Sequence, residues 1–97
     1  MILLSEYDVS KFKMMVDIMK KTEDKRAMLL SDAVYFFNSL EMRVFFEAML
    51  EIGVKFTALQ IDLEKRGVKI SLSRINAVDY DGFVEQLLEK RSGVINL

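Results

Sequence analysis

The sequence predicts an all-α domain of about six helices, arranged as a compact orthogonal bundle, and three observations lead there. Its 97 residues include no proline and only four glycines, so few positions force a helix to stop. Apolar residues recur at three- and four-residue steps in several stretches. Three of the glycines, Gly53, Gly67 and Gly93, stand where those stretches end, as left-handed caps do.

Taken in order, Val9, Phe12, Met15, Val16 and Met19 form an apolar face opposite Lys11, Lys13, Asp17 and Lys20, which predicts an amphipathic helix from Val9 to Lys21. Thr22, with Glu23 and Asp24 behind it, is placed to cap a second helix running to Asn38, because acidic groups favour the positive end of the helix dipole. Ser39 with Glu41 can open a third, closed at Gly53. Without the break at Asn38 and Ser39, the two would merge into one rod. Thr57 and Gln60 have capping-box spacing, and Phe56 and Ile61 flank them as a hydrophobic staple, so a fourth helix is expected from Thr57 to Gly67. Ser71 or Ser73 can cap a short fifth helix from Leu72 to Asp79. The last begins at Asp81 or Gly82 and carries Phe83, Val84, Leu87 and Leu88 on its apolar face. The apolar ends, Met1 to Leu4 and Val94 to Leu97, are expected to pack on the bundle rather than pair as a ribbon, since an isolated strand pair is marginal.

Composition narrows the function classes. The length gives one domain over residues 1–97, burying roughly 60 to 65% of its unfolded surface. Hydrophobic residues make up 52%, with seven Phe and seven Met, so some of the surplus is available to meet another chain. The chain lacks cysteine, which excludes disulfides and thiolate metal sites, and lacks histidine, the commonest general base and metal ligand. No glycine-rich phosphate loop is present, and Ser71 and Ser73 have no histidine to activate them. Asp79 and Asp81 offer too few oxygen ligands for a calcium loop and serve turns and caps. The expectation is a non-enzymatic protein without metal or cofactor. No apolar run nears the roughly 18 residues that span a bilayer, so no membrane association is expected and the chain reads as cytoplasmic.

Two surfaces point to partners. From Met28 to Phe37 only Ser31 and Asp32 are clearly polar, and from Leu40 to Ile52 the polar positions beyond Glu41 are Arg43, Glu47 and Glu51. One reading makes these helices the central hairpin of the core. Separately, a homodimer interface through Phe36, Phe37, Phe45, Phe46 and Met49 is expected, because a surface helix needs a wider polar face. The second surface is cationic: between Lys65 and Val78 the chain has Lys65, Arg66, Lys69 and Arg74 and no acid, in a protein of net charge −1.

That cationic segment lies in LQIDLEKRGVKISLSRINAV, Leu59 to Val78, which resembles the helix-turn-helix of transposases and mobile-element regulators. A leucine-bearing helix ends in glycine, an apolar-x-apolar-serine turn follows, and a recognition helix begins. The resemblance implies a module over residues 57–79 in which Ser71 is the cap, Ile75 the buried anchor, and Ser73, Arg74, Asn76 and Ala77 face the major groove. Lys65, Arg66 and Lys69 would then contact phosphates and set register. The reading is a small, dimeric DNA-binding regulator of transcription or of a mobile element, contacting duplex DNA through residues 65–77. Its alternative is a helical protein-interaction module, an inhibitor or adaptor, whose apolar surface docks on a protein and whose basic turn is incidental.

Overall fold

A computed structural model describes residues 1–70, 74–89 and 93–97, and it corrects the all-α expectation. Five parallel strands form one sheet: β1 (Ile2–Leu4), β2 (Arg26–Leu29), β3 (Lys55–Leu59), β4 (Ile75–Val78) and β5 (Ile95–Asn96), in the order β4-β3-β2-β1-β5. Between them run α1 (Val9–Met19), a 3₁₀ helix (Ser31–Asn38), α2 (Arg43–Glu51), α3 (Gln60–Arg66) and α4 (Tyr80–Leu88).

The strand register divides the side chains into rows. Ile95, Ile2, Ala27, Phe56 and Ile75 lie side by side across all five strands, and Leu4, Leu29, Ala58 and Ala77 form a parallel row two residues on. Strand side chains alternate between faces, so both rows share one face. Ile2, Leu4, Ala27, Leu29, Phe56 and Ala58 pack there in a single core with residues of α1, the 3₁₀ helix, α2 and α3. The row between them, Asn96, Leu3, Met28, Thr57 and Asn76, looks the other way. Crossovers between parallel strands are right-handed. The steps β1 to β2, β2 to β3 and β3 to β4 all advance in one direction, which puts their helices on one face. The step from β4 back to β5 crosses the whole sheet in reverse, so α4 covers the opposite face. There the Thr57 hydroxyl donates to Gln86 Oε1 of α4 at 3.2 Å.

The strands are short runs of helix-compatible residues, Arg-Ala-Met-Leu in β2 and Lys-Phe-Thr-Ala-Leu in β3. A strand buried on both faces shows no alternation, and periodicity cannot separate it from a helix. The expected second helix is accordingly β2 followed by the 3₁₀ helix, and the chain breaks at Ser39, whose Oγ accepts from the Met42 amide at 3.4 Å. Thr57 is an interior strand residue, 4% exposed, and not a cap. Helix α3 starts at Gln60 with no side-chain cap. The proposed recognition helix is largely absent: Ile75, Asn76, Ala77 and Val78 are edge strand β4, while Ser71 and Ser73 lie outside the described residues. Met1 to Leu4 and Val94 to Leu97 do not simply pack on the surface; β1 and β5 pair, with β1 inside the sheet.

Other expectations hold locally. Helix α1 starts at Val9, capped by Asp8, whose Oδ1 accepts from the Lys11 amide at 3.1 Å. Gly53 (φ +92°) and Gly67 (φ +63°) end α2 and α3 in left-handed conformation. In each case the next residue folds back: the Val54 amide reaches Met49 O at 3.0 Å and the Val68 amide reaches Leu63 O at 2.9 Å.

The aromatic residues assigned to a dimer interface fill the chain's own core. Phe36, Phe37, Phe46 and Met49 are each at most 5% exposed. Phe12 meets Phe36 and Phe46 at ring-centroid distances of 4.6 and 5.2 Å, and Phe46 meets Phe56 of the sheet at 4.9 Å. Phe45 is half-buried against the same cluster. Much of the apolar breadth of residues 28–52 is thus spent on the core, while Leu40, Val44 and Ile52 stay exposed. Replacing Phe46 by Ala removes the side chain that joins α1, the 3₁₀ helix and β3, and is expected to cost about 3–5 kcal/mol. In thermal unfolding that lowers Tm by at least about 12 °C. Val44→Ala, at a position 72% exposed, stays within about 0.5 kcal/mol of the parent.

Candidate docking site at the carboxyl end of the sheet

In a parallel sheet every strand delivers its chain to the same end, and each connection there enters a helix at its N-terminus. The residues that follow the strands are consequently rich in carboxylates, which complement the positive helix ends. Glu6 and Asp8 follow β1, Asp32 follows β2, Asp62 follows β3, and Asp79 and Asp81 follow β4. Several fasten the loops. Asp79 Oδ1 accepts from the Gly82 amide at 2.8 Å and caps α4. Asp62 Oδ2 accepts from the Ser31 amide at 2.9 Å, and Asp32 Oδ1 accepts from Arg66 Nε at 2.9 Å, which ties the turn after β2 to α3. The cations bonded to this group are Lys11 and Arg66. The hydrogen bond to Glu6, with the charges of Glu6 and Asp8, holds the Lys11 ammonium above its ordinary range.

Each of the four connections also presents one large side chain to solvent. Tyr7 is 54% exposed, Tyr35 40%, Ile61 52% and Tyr80 68%. Tyr7 packs edge-on against Tyr35, with ring centroids 5.8 Å apart, and against buried Phe36 at 4.5 Å, so its position is fixed from beneath. Strands about 4.8 Å apart spread these connections over roughly 15 Å from β1 to β4. Exposed aromatic anchors on rigid supports, rimmed by charge, are the anatomy of protein-docking surfaces.

The cationic residues singled out in the sequence do not assemble into one face. Arg66 turns to Asp32 and Asp62. Lys65 is exposed on the last turn of α3, and Lys69 lies in the segment after Gly67, where its carbonyl accepts from Asn38 Nδ2 at 2.7 Å. Asn76 and Ala77 are exposed on the edge strand, and Arg74 stands just before it, at the opposite end of the sheet from the tyrosines. The tyrosines escaped sequence reading because they reach one end of the molecule only once the strands are aligned. The usable signal was local: an apolar run followed within a few residues by an acid and an aromatic, as in Leu4 to Asp8 and Val78 to Asp81. Among the described residues, no group of three or more carboxylates is placed to hold a metal ion.

Ser31 sits at the crest of this end with φ +48°, a left-handed conformation in a residue other than glycine. Such a conformation costs about 1 kcal/mol or more and persists when neighbours enforce it, here through the Asp62 carboxylate. Ser31→Gly is therefore expected to raise stability by about 0.5–1 kcal/mol in urea unfolding, while Asp62→Ala lowers it by about 1–2 kcal/mol.

Comparison with known proteins agrees with this architecture. The crystal structure of the ychN protein from E. coli superimposes with a TM-score of 0.72 at 15% identity, covering 99% of this chain and 97% of that chain, which shows a shared fold. No curated protein matches. A family profile described as DsrH like protein matches residues 5–92. These findings, with β4 in place of a recognition helix, overturn the resemblance to transposases and the DNA-binding regulator read from it. The profile spans β2, β3, β4 and every described helix, well over half of the chain, and the chain belongs to the DsrH-like family.

Proposed function

We propose that this chain is a docking subunit of a sulfur relay, one that binds a sulfur-carrying protein through the carboxyl end of its sheet and holds no sulfur itself. Its family supports the setting, since DsrH-like proteins are sulfur-relay components. The observation that carries the assignment of role is the absence of cysteine from all 97 residues. Sulfur carried as a persulfide needs a thiolate, and thiol exchange needs an attacking sulfur; this chain supplies neither. What remains to it is contact. The three tyrosines and Ile61 on the four connections offer that contact, and the surrounding carboxylates suit a partner surface rich in lysine and arginine. The protein-interaction alternative read from the sequence is thereby kept, on an α/β scaffold instead of a helical one. No helix among the described residues is long and apolar enough to cross a membrane, and a cytoplasmic relay is the setting we assign.

Mixing the chain with the cysteine-bearing carrier of the same relay, loaded with ³⁵S as a persulfide, tests the reading. A stable complex is expected on gel filtration, with the label retained on the carrier. Tyr7→Ala and Tyr80→Ala are each expected to weaken the complex by about 30-fold, the loss typical of an aromatic anchor. Label transferred to this chain, or no complex at low ionic strength, would contradict it.

A further inference from the structure

The opposite end of the sheet carries a different chemistry. Register places Arg26 beside Lys55. The pairing of Phe56 with Ile75 places Lys55 in turn beside Arg74, the residue immediately before β4. Three cations thus stand in one row at the amino ends of β2, β3 and β4, about 4.8 Å from neighbour to neighbour along the backbone. Counting by alternation, they lie on the face that also carries Thr57 and Asn76, and all five line a cavity of about 800 Å³ beneath α4.

Only one cation of the row is neutralised. Arg26 donates through Nε and an Nη to the two oxygens of Asp24 at 2.7 and 2.8 Å, and its other Nη meets Glu89 at the carbonyl (3.1 Å) and the carboxylate (3.8 Å). Lys25, also on the cavity wall, spends its ammonium on the carbonyls of Met19 and Thr22. Lys55 and Arg74 have no carboxylate partner among the described residues. Like charges side by side on adjacent strands repel. Glu23, the remaining acid of the lining, is exposed and lies on the β2 side, away from Arg74. Next to the two cations, the Asn76 side-chain amide and Gln86 Nε2 have no acceptor among the described residues, and Gln86 Oε1 accepts from Thr57.

We propose that this cavity is an anion site, in which Lys55 and Arg74 clamp a tetrahedral oxyanion, free or as the terminal group of a small phosphorylated or sulfated metabolite, with Asn76 and Gln86 as hydrogen-bond donors. Arg74 offers a planar fork to two oxygens and Lys55 a point charge to a third. The cavity lies within the size range of small-molecule sites and has room beyond the anion for the rest of such a metabolite. The site is independent of the docking role: it lies at the other end of the strands and needs no partner protein.

Titration of the ¹⁵N-labelled full chain with inorganic phosphate, sulfate and glycerol 3-phosphate at low ionic strength tests the proposal. Saturable amide shifts are expected at Lys55, Thr57, Asn76 and Gln86, together with a rise in Tm that grows with anion concentration. Lys55→Gln and Arg74→Gln should each weaken binding about tenfold, and Lys20→Gln, at an exposed position outside the cavity, should leave it unchanged. Tighter binding of glycerol 3-phosphate than of phosphate would identify the metabolite form, and equal binding the free anion. Shifts that do not saturate, or an equal loss in all three variants, would overturn the site. Because Lys55 and Arg74 are exposed, the variants are expected to fold, and an unchanged far-UV spectrum checks that.

Discussion

A parallel sheet has to be covered on both faces, and its crossovers turn in one sense; the rest of this molecule follows from meeting those two conditions with 97 residues. Three crossovers in one direction gather α1, the 3₁₀ helix, α2 and α3 on one side, where Phe12, Phe36, Phe46 and Phe56 form the centre of the core. One return crossover leaves α4 alone on the other side. No residue of α4 is fully buried, so the second face is covered thinly and a cavity remains between α4 and the amino ends of β2, β3 and β4. The division between a thick and a thin layer is a consequence of strand order.

The same parallelism polarises the molecule electrically. Strand carboxyl ends lead into helix N-termini and collect acids, while helix C-termini lead back to strand amino ends and collect bases. Glu6, Asp8, Asp32, Asp62, Asp79 and Asp81 stand at one end, with Lys11 and Arg66 paired among them, and Lys25, Arg26, Lys55 and Arg74 stand at the other, where Glu23, Asp24 and Glu89 share the cavity wall. The two ends differ in what they expose: tyrosines among carboxylates at one, and two cations facing a cavity at the other.

The sequence was legible wherever the structure is governed by local physics. Helix α1 shows the periodicity of a helix half-embedded in a core, and Gly53 and Gly67 show the cap geometry that excludes most side chains. The strands were not legible, because β1 and β2 are short apolar runs and β3 mixes Thr57 into a row whose partners lie 29 and 19 residues away, at Met28 and Asn76. Thr57 and Gln60 kept the spacing of a capping box while the backbone between them was still extended. The helix-turn-helix pattern failed for a related reason: leucines, a glycine and a serine-led apolar stretch describe a helix followed by an edge strand equally well. Of the candidate sites, the cationic segment was visible as charge. Its division between Arg66, bound to Asp32, and Arg74, facing a cavity with Lys55, depends on contacts more than 18 residues apart in sequence.

Hydrogen–deuterium exchange of the chain, alone and with the persulfide-bearing carrier proposed for it, distinguishes the two ends of the sheet. Added protection is expected in the segments that follow the strands, around Tyr7, Tyr35, Ile61 and Tyr80, with Lys55 and Arg74 unchanged. Protection confined to the amino ends of the strands, with the tyrosine-bearing connections unaffected, would contradict the proposed docking.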